Sequence, residues 1–444
     1  MDFNNLQFLG KAIESAVIAQ YLDHLSINNL HDAKQSAYKK FHSTETLLTK
    51  IHNDIMCSLG RGEVVMLVLL DLSAAFDTID HDILLNRLEK RYGIKGNALK
   101  WFRSYLSDRT QSVIVNDTES NIQHLKYGVP QGSKLGPILF NSYIAPVSEI
   151  ASNHNITDEK YADDHQLILA FKPKQCQDQK EAILKMEKCI KDIRQFLLEN
   201  KLSNNSEKTE FLFLGTPAHL KQIQINEIGI DGVKVQAVNS AKNLGVVLDN
   251  YMTMEKQVNK MCKNVYFNIR NLSMIRNHLD TEDTKTAVNA LVTPHLDYGN
   301  GLLLGIKKNL INKLQVAQNS AVRLIEKVSR RQHITDLRKR LHWLPIPARI
   351  EFKILSMTWK ALHNQAPGYL VDLLKQRSTS RNLRSINRMI LDIPGAYGTN
   401  KFADRAFYRS APQLWNRLPD EVRLAVSLNS FKKALKKLSG QYYN

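Results

Sequence analysis

The chain has 444 residues, 43% of them apolar, which is enough for two or three domains with proper cores and excludes a disordered tail. No uncharged apolar run reaches the roughly eighteen residues of a membrane span, and the start MDFNNLQFLGK lacks the features of a secretory signal, so a soluble protein of the nucleus or cytoplasm is expected. The net charge of +18 is segregated, with 27 Lys+Arg against 8 Asp+Glu in residues 301–444 and 34 against 35 in residues 1–300, and such segregation suits a polyanionic partner.

In chain order, residues 4 to 59 have helical spacing with polar breaks at Asn28-Asn29 and His42-Ser43. Val64 to Leu70 is an unbroken apolar run ending at Asp71, the pattern of a buried strand that delivers a carboxylate at its C-terminal end. A helix is predicted over Asp82–Tyr92 with Asp80 as its N-cap, and another over Ala98–Leu106. Thr110–Val115 reads as a strand, and Gly128 to Ser133 as a turn opening a helix through Leu139–Tyr143. Tyr161–Asp164 lies between polar residues and the apolar run Leu167–Phe171, which suits a hairpin with acids at its tip.

A long amphipathic helix over Gln179–Asn200 follows, with Cys189 on its apolar stripe as core filler. Cys57, Cys176, Cys189 and Cys262 are too far apart for a disulfide framework or a zinc site. Strands are predicted at Glu210–Leu214 and Leu244–Leu248. After Asp249 the pattern is mainly helical, as in Leu310, Leu314, Ala317, Ala321, Leu324 and Val328, and Ser378–Ser385 reads as a flexible loop.

Asp71 and the pair Asp163-Asp164 stand out because each lies against apolar strand-like sequence, where a carboxylate is costly without a cation or donors. Three such acids could hold Mg²⁺ or Mn²⁺, and two ions ~3.5–4 Å apart would serve phosphoryl transfer. Taken singly, each acid is more often a turn or a helix cap. The surrounding motifs reverse that weighting.

Leu70-Asp71-Leu72-Ser73-Ala74-Ala75-Phe76-Asp77-Thr78 resembles the first catalytic motif of reverse transcriptases of LINE-type (non-LTR) retrotransposons. Tyr161-Ala162-Asp163-Asp164 is similar to their tyrosine-x-aspartate-aspartate box, and Gly128 to Ser133 to their intervening Pro-Gln-Gly turn. Asn205 to Glu210 and Asn243 to Val246 resemble later palm and primer-grip motifs. The likeness continues into His333-Ile334-Thr335, His342 to Pro345 and Leu414 to Pro419, and so covers nearly the whole chain.

The resemblance implies an α+β right-hand polymerase: partial fingers and palm over residues 1–215, a primer-grip and thumb connection over 216–300, and a basic helical region over 301–444. It implies RNA-directed DNA synthesis with an RNA template, a DNA primer and deoxynucleoside triphosphates as partners, no membrane, and Mg²⁺ or Mn²⁺ as cofactor. Asp71 and Asp163 would ligate both ions, with Asp164 supporting them and the Leu72 carbonyl adding an oxygen. Phe76 would sit under the sugar and exclude a 2′-hydroxyl; core packing is its alternative. Gln131 and Gly132 would line the nucleotide pocket, Lys208 would face the departing pyrophosphate, and Lys39 stands where relatives often carry Arg. Asp77, Asp80 and Asp82 read as helix-capping acids, and His165 as a neighbour of the acids, not a ligand.

The sequence departs from the pattern at its start, where basic finger residues and an upstream endonuclease are expected; target cleavage would then come from a missing upstream domain or another protein. Two rivals follow: a catalytically impaired nucleic-acid-binding remnant of the same fold, and a different two-metal enzyme such as a nuclease. In the basic third, Arg338, Lys339, Arg340, Arg384 and Arg388 are candidates for phosphate contact. Trp343, Trp359 and Trp415 stack on bases or fill the core, and their apolar neighbours favour the core.

Overall fold

The structure is a computed structural model; it describes residues 8–442 except 74–75, 117, 131, 175, 205–207, 231, 378–388 and 396–401. Helices α1 (Phe8–Ile27) and α2 (Thr44–Gly60) precede strand β1 (Val64–Ser73). Ser43 caps α2 through a reciprocal pair with Thr46, which is why the break at His42-Ser43 starts a helix. Helices α3 (His81–Lys90) and α4 (Gly96–Leu106) follow, the first capped by the Asp80 carboxylate on the Ile83 amide. The strand expected at Thr110–Val115 is instead split between two short exposed ribbons, β2 (Thr110–Gln111) with β5 (Gln123–His124), and β3 (Ile114–Val115) with β4 (Thr118–Glu119).

Next come α5 (Gly136–Ile144), α6 (Val147–Asn153) and the hairpin of β6 (Thr157–Tyr161) and β7 (Asp164–Phe171). Helix α7 (Cys176–Glu199) leads to β8 (Ser203–Asn204) and β9 (Glu210–Leu214). β1 is central: it pairs antiparallel with β7 on one side and with β9, then β8, on the other, while β6 lies outside β7.

The unbroken apolar run of β1 has a direct cause, because both faces of the sheet are covered. Val64, Met66, Val68 and Leu70 join one core with α3, α5 and α7, while Val65 and Leu67 join the other with α2. Cys189 is buried in the first of these, with Ala182, Met186 and Ile193.

After α8 (Pro217–Leu220) come the hairpins β10 (Glu227–Ile230) with β11 (Val233–Gln236) and β12 (Ser240–Asn243) with β13 (Val246–Asp249). The predicted strand Leu244–Leu248 thus spans a turn, since Leu244 (φ 43°) and Gly245 (φ 85°) are left-handed and reverse the chain. The rest is helical: α9 (Glu255–Ile275), α10 (Thr281–Leu291), α11 (Thr293–Asp297), α12 (Lys308–Glu326), α13 (Thr335–Arg340), α14 (Ile346–Leu362), α15 (Gly368–Val371), α16 (Phe407–Asn416), α17 (Asp420–Arg423) and α18 (Leu428–Tyr442).

These helices close the second core. Leu314, Trp359, Trp415 and Phe431 lie in one continuous cluster with Leu47, Ile51 and Ile55 of α2 and Leu212 and Leu214 of β9. Polar ties reinforce it: Lys353 bonds Glu45 of α2 at 2.9 Å, and the Asn53 side chain accepts the Tyr408 amide at 2.9 Å. No helix among the described residues is long and apolar enough to cross a membrane.

Candidate active site

The three acids meet at one end of the sheet. Asp71 on β1 is the direct cross-strand partner of Asp164 on β7, so their side chains leave the sheet on the same face. Tyr161 pairs with Asp164 across the hairpin, leaving Ala162 and Asp163 as its two-residue turn, with Ala162 in the left-handed region at φ 56°. Burial first, then the charges of Asp163 and Asp71, raise the Asp164 carboxyl above its ordinary range. The Lys208 ammonium lies 3.2 Å from an Asp71 oxygen and is otherwise largely exposed.

Neighbouring residues alternate to the opposite face. His165 is buried, with Nδ1 3.5 Å from the equally buried Asp158, away from the acids. Lys160 is fully buried with its ammonium 2.6 Å from Asp32 and 3.6 Å from Asp158. Burial alone would raise the Asp158 carboxyl, but Lys160, His165 and Ser148 together hold it below its usual value. This ionic layer stiffens the hairpin from beneath.

The donor set suits a hard divalent cation, being carboxylate oxygens with the strand carbonyl of Leu72 next to Asp71. Burial raises the Asp164 carboxyl most, and the smaller share due to Asp163 and Asp71 is what a cation between the acids would relieve. Among the described residues, however, no three His, Cys, Asp or Glu side chains already stand as a ligand set. The backbone brings the acids together at one end of the sheet.

The remaining sequence candidates are distributed as follows. Phe76 is half-buried, its ring 4.7 Å from that of Phe140 on α5, and its carbonyl accepts the Val129 amide at 2.9 Å. Gly128 (φ 83°) abuts Asp77, where an added Cβ would lie 2.9 Å from the Asp77 carbonyl oxygen, so glycine lets the 128–133 turn dock behind the first acid motif. Gly132 is exposed with φ 79°, whereas Gln131 lies outside the described residues. Lys39 donates its ammonium to the Asp32 carbonyl oxygen, and burial, with Lys160 nearby, lowers its pKa despite the Asp32 charge.

In the C-terminal region, Lys339 and Arg340 are exposed at the end of α13, Arg340 3.5 Å from Glu326, while Arg338 is half-buried and its pKa is lowered by that burial. Arg384 and Arg388, with the predicted Ser378–Ser385 loop, lie outside the described residues. The tryptophans take the favoured core places and not base-stacking ones: Trp343, Trp359 and Trp415 are all buried, the last two with indole N–H groups bonded to the carbonyls of Ala425 and Met389.

Two residues that sequence reasoning missed organise the site's surroundings. Glu14 of α1, buried, accepts from the Tyr105 hydroxyl (2.8 Å), the Ser133 hydroxyl (3.0 Å) and the Lys134 amide (2.8 Å), and so anchors the turn after Gly132. Gln35, also buried, bonds the tip of the acid hairpin. Each is a single polar residue whose partners at the site lie more than ninety positions away, beyond any local pattern.

A family profile described as "Reverse transcriptase (RNA-dependent DNA polymerase)" matches residues 1–248, more than half of the chain, and the protein belongs to that family. Proteins similar to it include polymerases of Drosophila non-LTR elements. The "Probable RNA-directed DNA polymerase from transposon BS" of Drosophila melanogaster is 26% identical over 330 residues, or 72% of this chain and 35% of that protein. The "RNA-directed DNA polymerase from mobile element jockey" of the same species is 22% identical over 330 residues, with the same shares. This chain therefore spans about a third of the length of the curated relatives it matches. Among solved structures, a telomerase from Candida albicans in complex with a fragment of telomeric RNA aligns with 75% of this chain and 54% of its own, at 13% identity and a TM-score of 0.37.

Proposed function

We propose that the chain is an RNA-directed DNA polymerase that adds deoxynucleotides to a DNA 3′-hydroxyl along an RNA template. The observation that carries this reading is the pairing of Asp71 with Asp164 across β1 and β7, with Asp163 in the adjoining turn. Asp71 and Asp163 would hold Mg²⁺ or Mn²⁺, with Asp164 and the Leu72 carbonyl in support. The ions, when bound, activate the attacking hydroxyl and neutralise the leaving oxygen. Lys208, beside Asp71, is placed to meet charge on the pyrophosphate, and Gly132 with Gln131 to let backbone approach the nucleotide.

In this reading residues 1–215 form partial fingers and palm, 216–300 the primer-grip and thumb connection, and 301–444 the basic region, with Lys339 and Arg340 offered to phosphates. An endonuclease for target cleavage would act with it. A catalytically impaired nucleic-acid-binding form is the second reading, favoured by Lys39, whose ammonium is engaged by Asp32 instead of being offered to a triphosphate.

The purified chain with Mg²⁺ or Mn²⁺ is expected to extend an oligo(dT) primer on poly(A). Asp163→Asn combined with Asp164→Asn should reduce extension to background while leaving template binding in place. Extension that survives the double substitution removes the assignment, and template binding without extension by the unaltered chain favours the impaired form.

A further inference from the structure

Gln35 lies in the segment between α1 and α2, 1% exposed, and its amide faces the turn that carries Asp163. Its Nε2 donates to the Ala162 carbonyl oxygen at 3.1 Å, and its Oε1 accepts the Ala162 amide at 2.9 Å and the Ala37 amide at 2.9 Å. On either side the backbone is joined to the edge of β6, the Ser36 amide donating to Lys160 and the Lys160 amide to Lys34, each at 2.9 Å.

We infer that Gln35 is a positioning residue for Asp163, a side-chain clamp that holds both polar groups of Ala162 and thereby fixes where the following carboxylate points. The inference rests on the reading of Asp71, Asp163 and Asp164 as metal ligands.

The chemistry singles out glutamine. Ala162 adopts φ 56°, a left-handed conformation that an alanine takes up only when its surroundings impose it. Satisfying a carbonyl and an amide of one residue takes a side chain with a donor and an acceptor in one plane, which a carboxamide supplies and a carboxylate does not. Asparagine is one methylene short. At a two-residue turn, rotation about Ala162 swings Asp163 directly, so a support on Ala162 acts on the ligand with no intervening lever. The same amide ties in Ala37, so the segment carrying Tyr38 and Lys39 and the acid turn are held from one side chain.

The first test needs no variant. In the full wild-type chain without metal, the Ala162 amide is expected to exchange with solvent deuterium ~10²-fold or more slowly than an unprotected turn amide; exchange at the free rate overturns the clamp. Gln35→Met keeps length and bulk and removes all three bonds. It is expected to speed Ala162 exchange ~10-fold or more, to raise the half-saturating Mn²⁺ concentration, read by electron paramagnetic resonance with the metal alone, ~10-fold, and to lower kcat ~10- to 100-fold at unchanged primer–template Kd. Gln35→Glu, which retains the two accepted bonds, should fall between. A folded Gln35→Met chain with wild-type Mn²⁺ saturation and kcat overturns the inference, and if that variant does not fold the wild-type exchange result decides. Should the wild-type chain neither bind Mn²⁺ nor extend a primer, the polymerase reading fails while Ala162 protection still reports on the clamp.

Discussion

Phe76 packs against the core, and its proposed part in sugar selection can be tested apart from that packing. Its ring rests on Phe140, which is fully buried, yet Phe76 itself is only half-buried, so the core does not enclose all of it. Removing the ring forfeits an aromatic contact and part of a core, about 1–2 kcal/mol, below the ~3–5 kcal/mol typical of a fully buried phenylalanine. Phe76→Ala should therefore lower the melting temperature modestly. If the ring excludes a 2′-hydroxyl, the same variant should raise ribonucleotide over deoxynucleotide incorporation in single-addition assays while deoxynucleotide use changes comparatively little. A lowered melting point with an unchanged ratio would leave Phe76 as core alone. The meeting of the acids was legible because Asp71 closes an apolar run and Asp163-Asp164 precede one, whereas Gln35 and Glu14 were not, since nothing within a few residues of either predicts partners on distant elements.

At the level of elements, the strongly patterned segments were read well and the weakly patterned ones were not. β1 and β9 are covered on both faces, so each carries an unbroken apolar run, Val64 to Leu70 and Phe211 to Leu214, that marks it in the chain. Helix α12 presents Leu310, Leu314, Ala317 and Ala321 to the core at the spacing its period requires. The 110–124 ribbons are exposed on both faces and carry no alternation to register them, and the β12–β13 hairpin hides its turn within an apolar stretch marked only by Gly245. Basic composition set residues 301–444 apart, but their apolar positions pack on α2 and β9. Trp359, 2% exposed, stacks on Phe431 within that cluster, and truncating it to alanine should cost ~3–5 kcal/mol. Trp359→Ala is expected to unfold the chain at lower denaturant concentration in one transition that includes the β1-centred sheet and its helices. If that part melts at its unaltered midpoint, followed through Trp101, the two regions are independent after all.

At the scale of the whole molecule, charge and fold are partitioned differently: the core runs from α2 to α18, while the positive excess lies entirely beyond residue 300. A truncation at that point would strip apolar cover from α2 as well as remove charge, so the electrostatic role of the region is better tested in the full chain. Lys339 and Arg340 suit this purpose because they are exposed at the end of α13, and the only acidic partner recorded for either among the described residues is Glu326, near Arg340. Arg340 is 67% exposed and only loosely paired, 3.5 Å from Glu326, so the pair contributes little to stability and charge reversal there should leave the fold intact. If both side chains meet phosphates, each accounts for about one unit of the slope of log affinity against log salt, because each contact releases condensed counterions. Lys339→Glu with Arg340→Glu should then weaken binding to single-stranded RNA and to an RNA–DNA duplex, flatten the salt slope by about two, and converge with the wild-type affinity at high salt. Loss of affinity that persists unchanged at high salt would point to altered structure instead of lost phosphate contact. An unchanged slope would remove α13 from the nucleic-acid surface and leave its charge to solubility.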